Sequence, residues 1–287
     1  MPTEADVLDA PAPCLTDKDF KSDFKPLWCP GCGDFSVLAA TAKAFAALGM
    51  AHEDIAVITG IGCSGRYGSH INVYGFHGVH GRALAVGTGL KITRPDLVVL
   101  VVGGDGDGFA IGGNHFLHAC RRNVDLTYLV MDNQVYGMTK GQASPTTEAD
   151  WTGSNLTPHG PGAAPFHALP VALATGANFI ARGFTGDPKG LAQMIVEAVR
   201  HPGFSFVDIL SPCVTYQPEQ KDWKRRVRPG FAEPTTDAAE AQRRLMDDDG
   251  FNVGILFKGD RPPFRPAGPA SAAGDLARIR GEFALEA

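Results

Sequence analysis

Residues 97–108, LVVLVVGGDGDG, decide the fold. Leu97 to Gly104 run without a polar side chain and end in a double Gly-Asp. A short apolar run bounded by turn residues reads as a strand buried on both faces, and such strands belong to parallel sheets covered by helices. Working outward, IAVITG (55–60), LTYLVMDN (126–133), FIARG (179–183) and FSFVDIL (204–210) read as further strands. Helices are expected at VLAATAKAFAAL (37–48, stopped by Gly49), ALAVGTGLKI (83–92), FAIGGNHFLHACRR (109–122), FHALPVALATG (166–176) and PKGLAQMIVEAVRH (188–201). The alternation predicts an α/β fold, an open parallel sheet with helices on both faces.

Three regions follow: an N-terminal extension over 1–24, a ligand-binding domain over 25–214 and a C-terminal arm over 215–287. The arm turns polar and Pro-rich with no strong strand. It is expected to pack on the surface or on a partner, closed by a short helix, DLARIRGEFAL (275–285). Residues 138–165 form a loop rich in Gly, Pro, Ser and Thr, and a loop that long inside a compact domain is usually functional or disordered.

The chain has 287 residues, 44% of them hydrophobic and 20% charged, enough for a full core. A net charge of −5 argues against a general nucleic-acid surface. No apolar run approaches the ~20 residues of a membrane span, and the acidic start lacks the apolar core of a signal peptide. The expectation is a soluble cytoplasmic protein with its six cysteines reduced. In that setting a CxxC is more often metal-binding or catalytic than a structural disulfide.

Ligands of open parallel sheets bind outside the carboxyl ends of the strands. Cys63, Asp105, Asn133 and Cys213 follow four of the expected strands, so they should share one edge. GDGDG, closing a strand and opening a helix, suits a diphosphate held by backbone N–H groups. A carboxylate there suits Mg²⁺, which takes oxygen ligands and bridges to phosphates. Asn133, 28 residues after Asp105, and the carbonyl of Val135 can reach the same ion. Spacing favours Asp105 over Asp107 as first ligand. The alternative is that both acids cap a helix and Asn133 sits in a turn. The GDG-then-Asn arrangement resembles the thiamine-diphosphate signature.

Cys29 and Cys32, in LWCPGCGDF (27–35), and the single Cys63 and Cys213 make a second group. Four thiolates suit zinc or a [4Fe–4S] cluster. A two-thiol redox motif leaves Cys63 and Cys213 unused. Cys14 and Cys120 are read as small hydrophobes.

At this point the chain resembles the beta subunits of the 2-oxoacid:ferredoxin oxidoreductases, relatives of pyruvate:ferredoxin oxidoreductase. The resemblance rests on WCPGCGDF, GIGCSGR, HGRALAVGTGLK, GDGDGFAIGGNHF, MDNQVYGMTKGQASPT and SPCV, in order over about residues 25–215. It implies a [4Fe–4S] cluster on Cys29, Cys32, Cys63 and Cys213, beside thiamine diphosphate with Mg²⁺ on Asp105, Asn133 and the Val135 carbonyl. It extends the expected cofactor contacts to Gly104, Gly106 and Asp107. It adds Gly137, Met138 and Thr139, then Cys63 with Ser64, and His80 with Arg82. The last pair would contact the diphosphate or the pyrimidine pocket, the alternative for His80 being a structural role.

The implied reaction is the oxidative decarboxylation of a 2-oxoacid with coenzyme A as acyl acceptor. The thiamine ring is the electron sink, and a nearby cluster gives the electrons a one-at-a-time exit to ferredoxin. The resemblance also implies reversal as CO₂ fixation. It places the carboxylate that tunes the aminopyrimidine on an alpha subunit, in an (alpha-beta)₂ assembly. The absence of a CxxCxxCxxxCP run leaves one cluster per beta chain. Among catalytic candidates beside His80, Lys140 could reach a distal carboxylate, which favours 2-oxoglutarate over pyruvate; an exposed loop lysine is the alternative. KRRVR (224–228) is a candidate ferredoxin dock, set against a solvated face or an alpha-subunit contact. Two competing readings stay open: a non-oxidative thiamine decarboxylase or ligase with structural zinc, and a zinc-stabilised binding module.

Overall fold

The computed structural model describes residues 15–265. Helix α1 (Asp34–Leu48) leads into β1 (Ile55–Thr59) and then an edge strand, β2 (Tyr74–His77). Next come α2 (Ala83–Thr93), β3 (Val98–Gly104), a wide helical turn (Gly106–Ile111), α3 (Gly113–Arg122) and β4 (Thr127–Asp132). The long loop carries a two-rung hairpin, β5 (Val135–Tyr136) with β6 (Gln142–Ala143). After it follow α4 (Ala168–Ala174), β7 (Phe179–Phe184), α5 (Pro188–Arg200) and β8 (Ser205–Leu210). The last elements are β9 (Arg228–Phe231), α6 (Ala238–Met246) and β10 (Asn252–Lys258).

The main sheet runs β2-β1-β3-β4-β8-β7-β10-β9. Every neighbouring pair is parallel except β7 with β10. Side chains alternate across a strand, and here both sets are apolar. Val99, Val101, Tyr128, Val130 and Phe206 join one core under α2, α3, α4 and α6. Leu100, Val102, Leu129, Met131 and Val207 join the other, under α1 and α5. That two-sided burial is why the strands read as continuous apolar runs.

Three readings change. The helix expected over 109–122 starts earlier, as a wide turn from Gly106, and becomes regular only at Gly113. Gly112 N donates to Asp107 O at 3.1 Å, a bond one residue longer than an α-helix uses. Past residue 215 the chain does contribute a strand: β10 extends the sheet beyond β7. Its pattern is obscured by Gly254, at φ 130, and by a bulge between Ile255 and Phe257. Within the N-terminal extension Phe20 is fully buried against Phe45 and His52. Cys14 and the helix expected at 275–285 lie outside the described residues.

Asn123 closes α3 in the left-handed conformation, at φ 55. Its side chain accepts from Phe204 N at 2.8 Å and donates to the carbonyls of Arg261 and Pro262, each at 3.0 Å. One residue thus ends a helix, starts β8 and anchors the chain after β10. Asn123→Ala should cost about 3 kcal/mol, from lost buried hydrogen bonds plus strain. Asn123→Gly should cost roughly 1 kcal/mol less, because glycine accepts positive φ freely. Urea-unfolding midpoints of the purified protein check the order; a glycine variant no better than alanine removes the strain component.

Candidate active site

From β1 the sheet continues one way to β2 and the other way to β3. That is a topological switch point, where open α/β sheets leave a crevice at the strand ends. A cavity of about 210 Å³ lies there, lined by Ile61–Ser64 after β1, His80, Gly104–Asp107, Met131, Asn133 and Val135–Thr139. It therefore gathers the predicted Cys63, Ser64, His80, Gly104, Asp105, Gly106, Asp107, Asn133, Val135, Gly137, Met138 and Thr139. Arg82 and Lys140 stand outside the lining. The Arg82 guanidinium donates to the Ile111 carbonyl at 3.2 Å, bracing the turn instead.

The two acids have different surroundings. Asp107 Oδ1 accepts from Ile61 N at 3.0 Å, Gly81 N at 2.8 Å and His80 Nδ1 at 2.7 Å. It is a strut between the loops after β1 and before α2. Asp105 lies 2% exposed, its Oδ2 accepting from Thr146 Oγ1 at 2.8 Å and from Ser144 Oγ. Burial pushes its carboxyl above the usual range, against the pull of those hydroxyls. A carboxylate held in a desolvated pocket by hydroxyls on one oxygen suits a cation on its other side. Asn133 Oδ1 accepts from Val135 N at 3.1 Å, an Asx turn that brings the Val135 backbone round to the cavity.

Thr146 Oγ1 also lies 2.7 Å from Asp132 Oδ1. One hydroxyl proton thus stands between two buried carboxyls. Burial, then Asp105, pushes Asp132 well above its ordinary range. Ser144 and Thr146 flank Pro145 in the stretch QASPT (142–146). Their position is set by the β5–β6 hairpin, which folds the long loop back onto the β3 turn. Tyr136 adds a further clasp, its hydroxyl donating to Gly106 O at 3.3 Å.

The cysteines adjoin this cavity. A side-chain carbon on Gly137 would stand 3.7 Å from Cys63 Sγ and 3.8 Å from Cys213 Sγ, so both thiols flank a cavity wall. The Cys29 carbonyl closes the CxxC turn, accepting from Cys32 N at 3.0 Å. Gly33 brings that turn against the end of β8: Gly33 N donates to Pro212 O at 3.3 Å, and a Cβ would stand 2.9 Å from Ser211 Cα. Burial first, and Asp34 second, pushes the Cys63 thiol up to about 12 and the Cys32 thiol higher still. Cys32 is also raised by Cys63 and Cys213, and Cys63 by Cys213 and Cys29, so the four thiols share one neighbourhood. Burial thus keeps the Cys32 and Cys63 sulfurs protonated unless a cation binds, and binding would make them ligands.

Among the described residues no three His, Cys, Asp or Glu side chains are close enough to share one ion. The oxygen set is one carboxylate, one amide and one carbonyl, and a four-iron cluster takes its thiolates on separate irons. Cys120 is buried in α3, away from both sets, as a small hydrophobe. Asp34 also lines the cavity and was not singled out from sequence; its only signal was its place directly after the CxxCG turn. No helix among the described residues is long and apolar enough to cross a membrane.

Comparison with known proteins identifies the family. Residues 60–209 match the family of thiamine pyrophosphate enzymes, C-terminal TPP binding domain. The 2-oxoglutarate oxidoreductase subunit KorB of Mycobacterium tuberculosis is 44% identical over 73% of this chain. The beta subunit of 2-oxoacid:ferredoxin oxidoreductase 2 of Aeropyrum pernix is 46% identical over 69% of it. The chain spans 56% and 64% of the lengths of these two relatives. A solved 2-oxoglutarate:ferredoxin oxidoreductase from Magnetococcus marinus, with 2-oxoglutarate, coenzyme A and succinyl-CoA bound, superposes with a TM-score of 0.82. That match is 39% identical and covers 93% of this chain and 90% of the other. The chain belongs to the thiamine pyrophosphate enzyme family and, within it, to the beta subunits of the 2-oxoacid:ferredoxin oxidoreductases.

Proposed function

We propose that this chain is the beta subunit of a CoA-acylating 2-oxoacid:ferredoxin oxidoreductase, with 2-oxoglutarate preferred and pyruvate the alternative substrate. The reaction is oxidative decarboxylation to acyl-CoA and CO₂, reversible in principle. A [4Fe–4S] cluster, when bound, would supply the one-electron path to ferredoxin. The observation that carries this reading is the shared wall at Gly137: oxygen donors line one side and two thiols lie behind it.

Thiamine diphosphate supplies the electron sink for decarboxylation. Asp105, Asn133 and the Val135 carbonyl would hold Mg²⁺, and the N–H groups opening the wide turn at Gly106 would face the diphosphate. Ser144 and Thr146 keep the Asp105 carboxylate aimed into the cavity. His80, fixed by Asp107, lines the cavity and can exchange a proton there. Cys29, Cys32, Cys63 and Cys213 would hold the cluster. An alpha subunit would supply the carboxylate for the aminopyrimidine, in an (alpha-beta)₂ unit. Of the basic run 224–228, Arg226 lies over the Phe251 ring and Arg228 pairs with Asp249 at 2.8 Å. Only part of it is therefore free for an acidic carrier.

Anaerobic co-purification with the alpha partner tests the reading. A brown chain with about four irons is expected, bleaching on addition of 2-oxoglutarate and coenzyme A. Serine at Cys29, Cys32, Cys63 or Cys213 should abolish iron loading, whereas Cys120→Ser should retain it. Gly33→Ala should lower iron content in a folded chain, because its Cβ meets the Ser211 backbone. A colourless protein holding zinc would replace this reading with the non-oxidative thiamine enzyme.

Lys140 follows Thr139, which lines the cavity, and its backbone is left-handed at φ 82. Such strain in a non-glycine residue collects at functional sites. A hydrogen bond to a charged group contributes about 1.5–3 kcal/mol. Lys140→Ala should therefore raise KM for 2-oxoglutarate roughly 10- to 100-fold while changing KM for pyruvate little. Equal effects on the two substrates would remove Lys140 from substrate choice.

A further inference from the structure

After β8 the chain turns back toward the end of β4. Residues 211–220, SPCVTYQPEQ, carry Cys213 into a short helical turn (Pro218–Asp222), and Trp223 after it packs with Leu210 and Phe251. Gln217 and Gln220 are 4% and 2% exposed, yet neither lines the cavity. Gln220 Oε1 accepts from Cys213 N at 2.8 Å. Its Nε2 donates to Asn133 O at 2.8 Å and to Gln217 Oε1 at 2.9 Å. Gln217 donates onward from Nε2 to Gln134 O, and its backbone N donates to Cys213 O at 3.1 Å.

One amide thus joins the backbone of a thiol residue to the backbone of an oxygen-site residue. The Asn133 bond joins positions 87 residues apart, so no helix or strand ladder enforces it. Asn133 also heads the Asx turn through Val135 N, and the carbonyl that Gln220 holds belongs to that turn. The partners fix the orientation of the amide, since a peptide N–H can only donate and a peptide carbonyl only accept. They also fix the residue type. Ionised glutamate has acceptors only, and methionine, of similar length, offers at best a weak acceptor. Either change would leave a backbone group unpaired, which costs more than a hydrogen bond contributes net.

Resting on the reading of Cys213 as a cluster ligand and Asn133 as a Mg²⁺ ligand, we propose that Gln220 is a positioning residue for both cofactors. Its Oε1 holds the Cys213 segment and its Nε2 holds the Asn133 turn, so one side chain sets the spacing of the two sites. Removing both ends of the amide frees both backbones at once. The acceptor end and the donor end serve different sites. A replacement that keeps an acceptor therefore restores the thiol side.

The test uses the anaerobic holoenzyme with its alpha partner, as parent, Gln220→Met, Gln220→Glu and Glu219→Ala. Two quantities are read: the rate at which iron is lost to a ferrous chelator, and the Kd for thiamine diphosphate at saturating Mg²⁺. Glu219→Ala is the control, because Glu219 lies in the same turn but accepts from Trp151 Nε1, at 3.0 Å. Loss of one hydrogen bond corresponds to roughly a two- to tenfold change in an equilibrium. Gln220→Met should therefore release iron roughly two- to tenfold faster and raise the Kd by a similar factor. Gln220→Glu should return iron release to the parent's rate, and Glu219→Ala should match the parent in both quantities. A parent-like Gln220→Met in either quantity overturns the proposal, as does a glutamate variant that holds iron no better than methionine. Equal losses in Glu219→Ala overturn it too, because they mark packing of the turn. Failure of either position-220 variant to assemble does the same, since it marks a role in the fold. A parent that binds thiamine diphosphate without iron, or holds iron without binding thiamine diphosphate, sinks the underlying reading of the sites, and this inference with it.

Discussion

One carboxylate oxygen organises the crevice. Asp107 Oδ1 gathers two backbone N–H groups and an imidazole from loops that are distant in sequence. Hydrogen bonds to a charged acceptor contribute about 1.5–3 kcal/mol each, enough to fix loops that have little core of their own. The neighbouring glycines make room for it: a Cβ on Gly60 would overlap the Asp107 carboxyl, and one on Gly112 would overlap the Asp107 carbonyl. The wide turn from Gly106 follows from this geometry. It lets the chain carry Asp107 back toward β1 before α3 begins, and leaves Asp105 facing the cavity.

A second close approach joins the thiols. The CxxC turn precedes α1, Cys63 follows β1 and Cys213 follows β8, so the four sulfurs come from three separated segments. Gly33 permits the backbone contact with Ser211 that brings two of these segments together. Bound iron would supply cross-links that free thiols cannot, and it would draw off the protons that burial holds on Cys32 and Cys63. Gly137 adjoins both groups: it lines the cavity, and a Cβ there would touch the Cys63 and Cys213 sulfurs at ordinary van der Waals distance.

Most of the sheet and the outline of the cavity were legible in the sequence, for a physical reason. Strands buried on both faces are written as unbroken apolar runs, and ligand-binding turns after them as glycine and acid, so β1, β3, β4 and β8 and their following residues stood out. Strand β10 was missed because Gly254 and a bulge break its alternation, and β2 because its four exposed residues, Tyr74–His77, carry no burial pattern. Asp105 and Asp107 could not be separated from sequence beyond spacing, since their difference lies in which loops reach them. Arg82 was expected at the cofactor, yet its guanidinium turns to the Ile111 carbonyl. Ser144 and Thr146 had no signal of their own. They act only because a hairpin that begins three residues after β4 ends returns them to β3.

The division of labour between the two acids also constrains what the cavity can do. Asp107 Oδ1 takes three donors, so it serves as scaffold and as the anchor that orients His80. Asp105 is held on one oxygen by hydroxyls that can rotate, and one of those, Thr146, faces Asp132 as well. Two buried carboxyls separated by one hydroxyl cannot both be ionised cheaply in a low dielectric. A divalent cation at Asp105 would relieve that conflict by favouring its ionised form, leaving the neutral form to Asp132, whose surroundings already push it that way. The charge pattern of the crevice thus favours a cation at the oxygen site, on the same edge where burial holds the protons of Cys32 and Cys63.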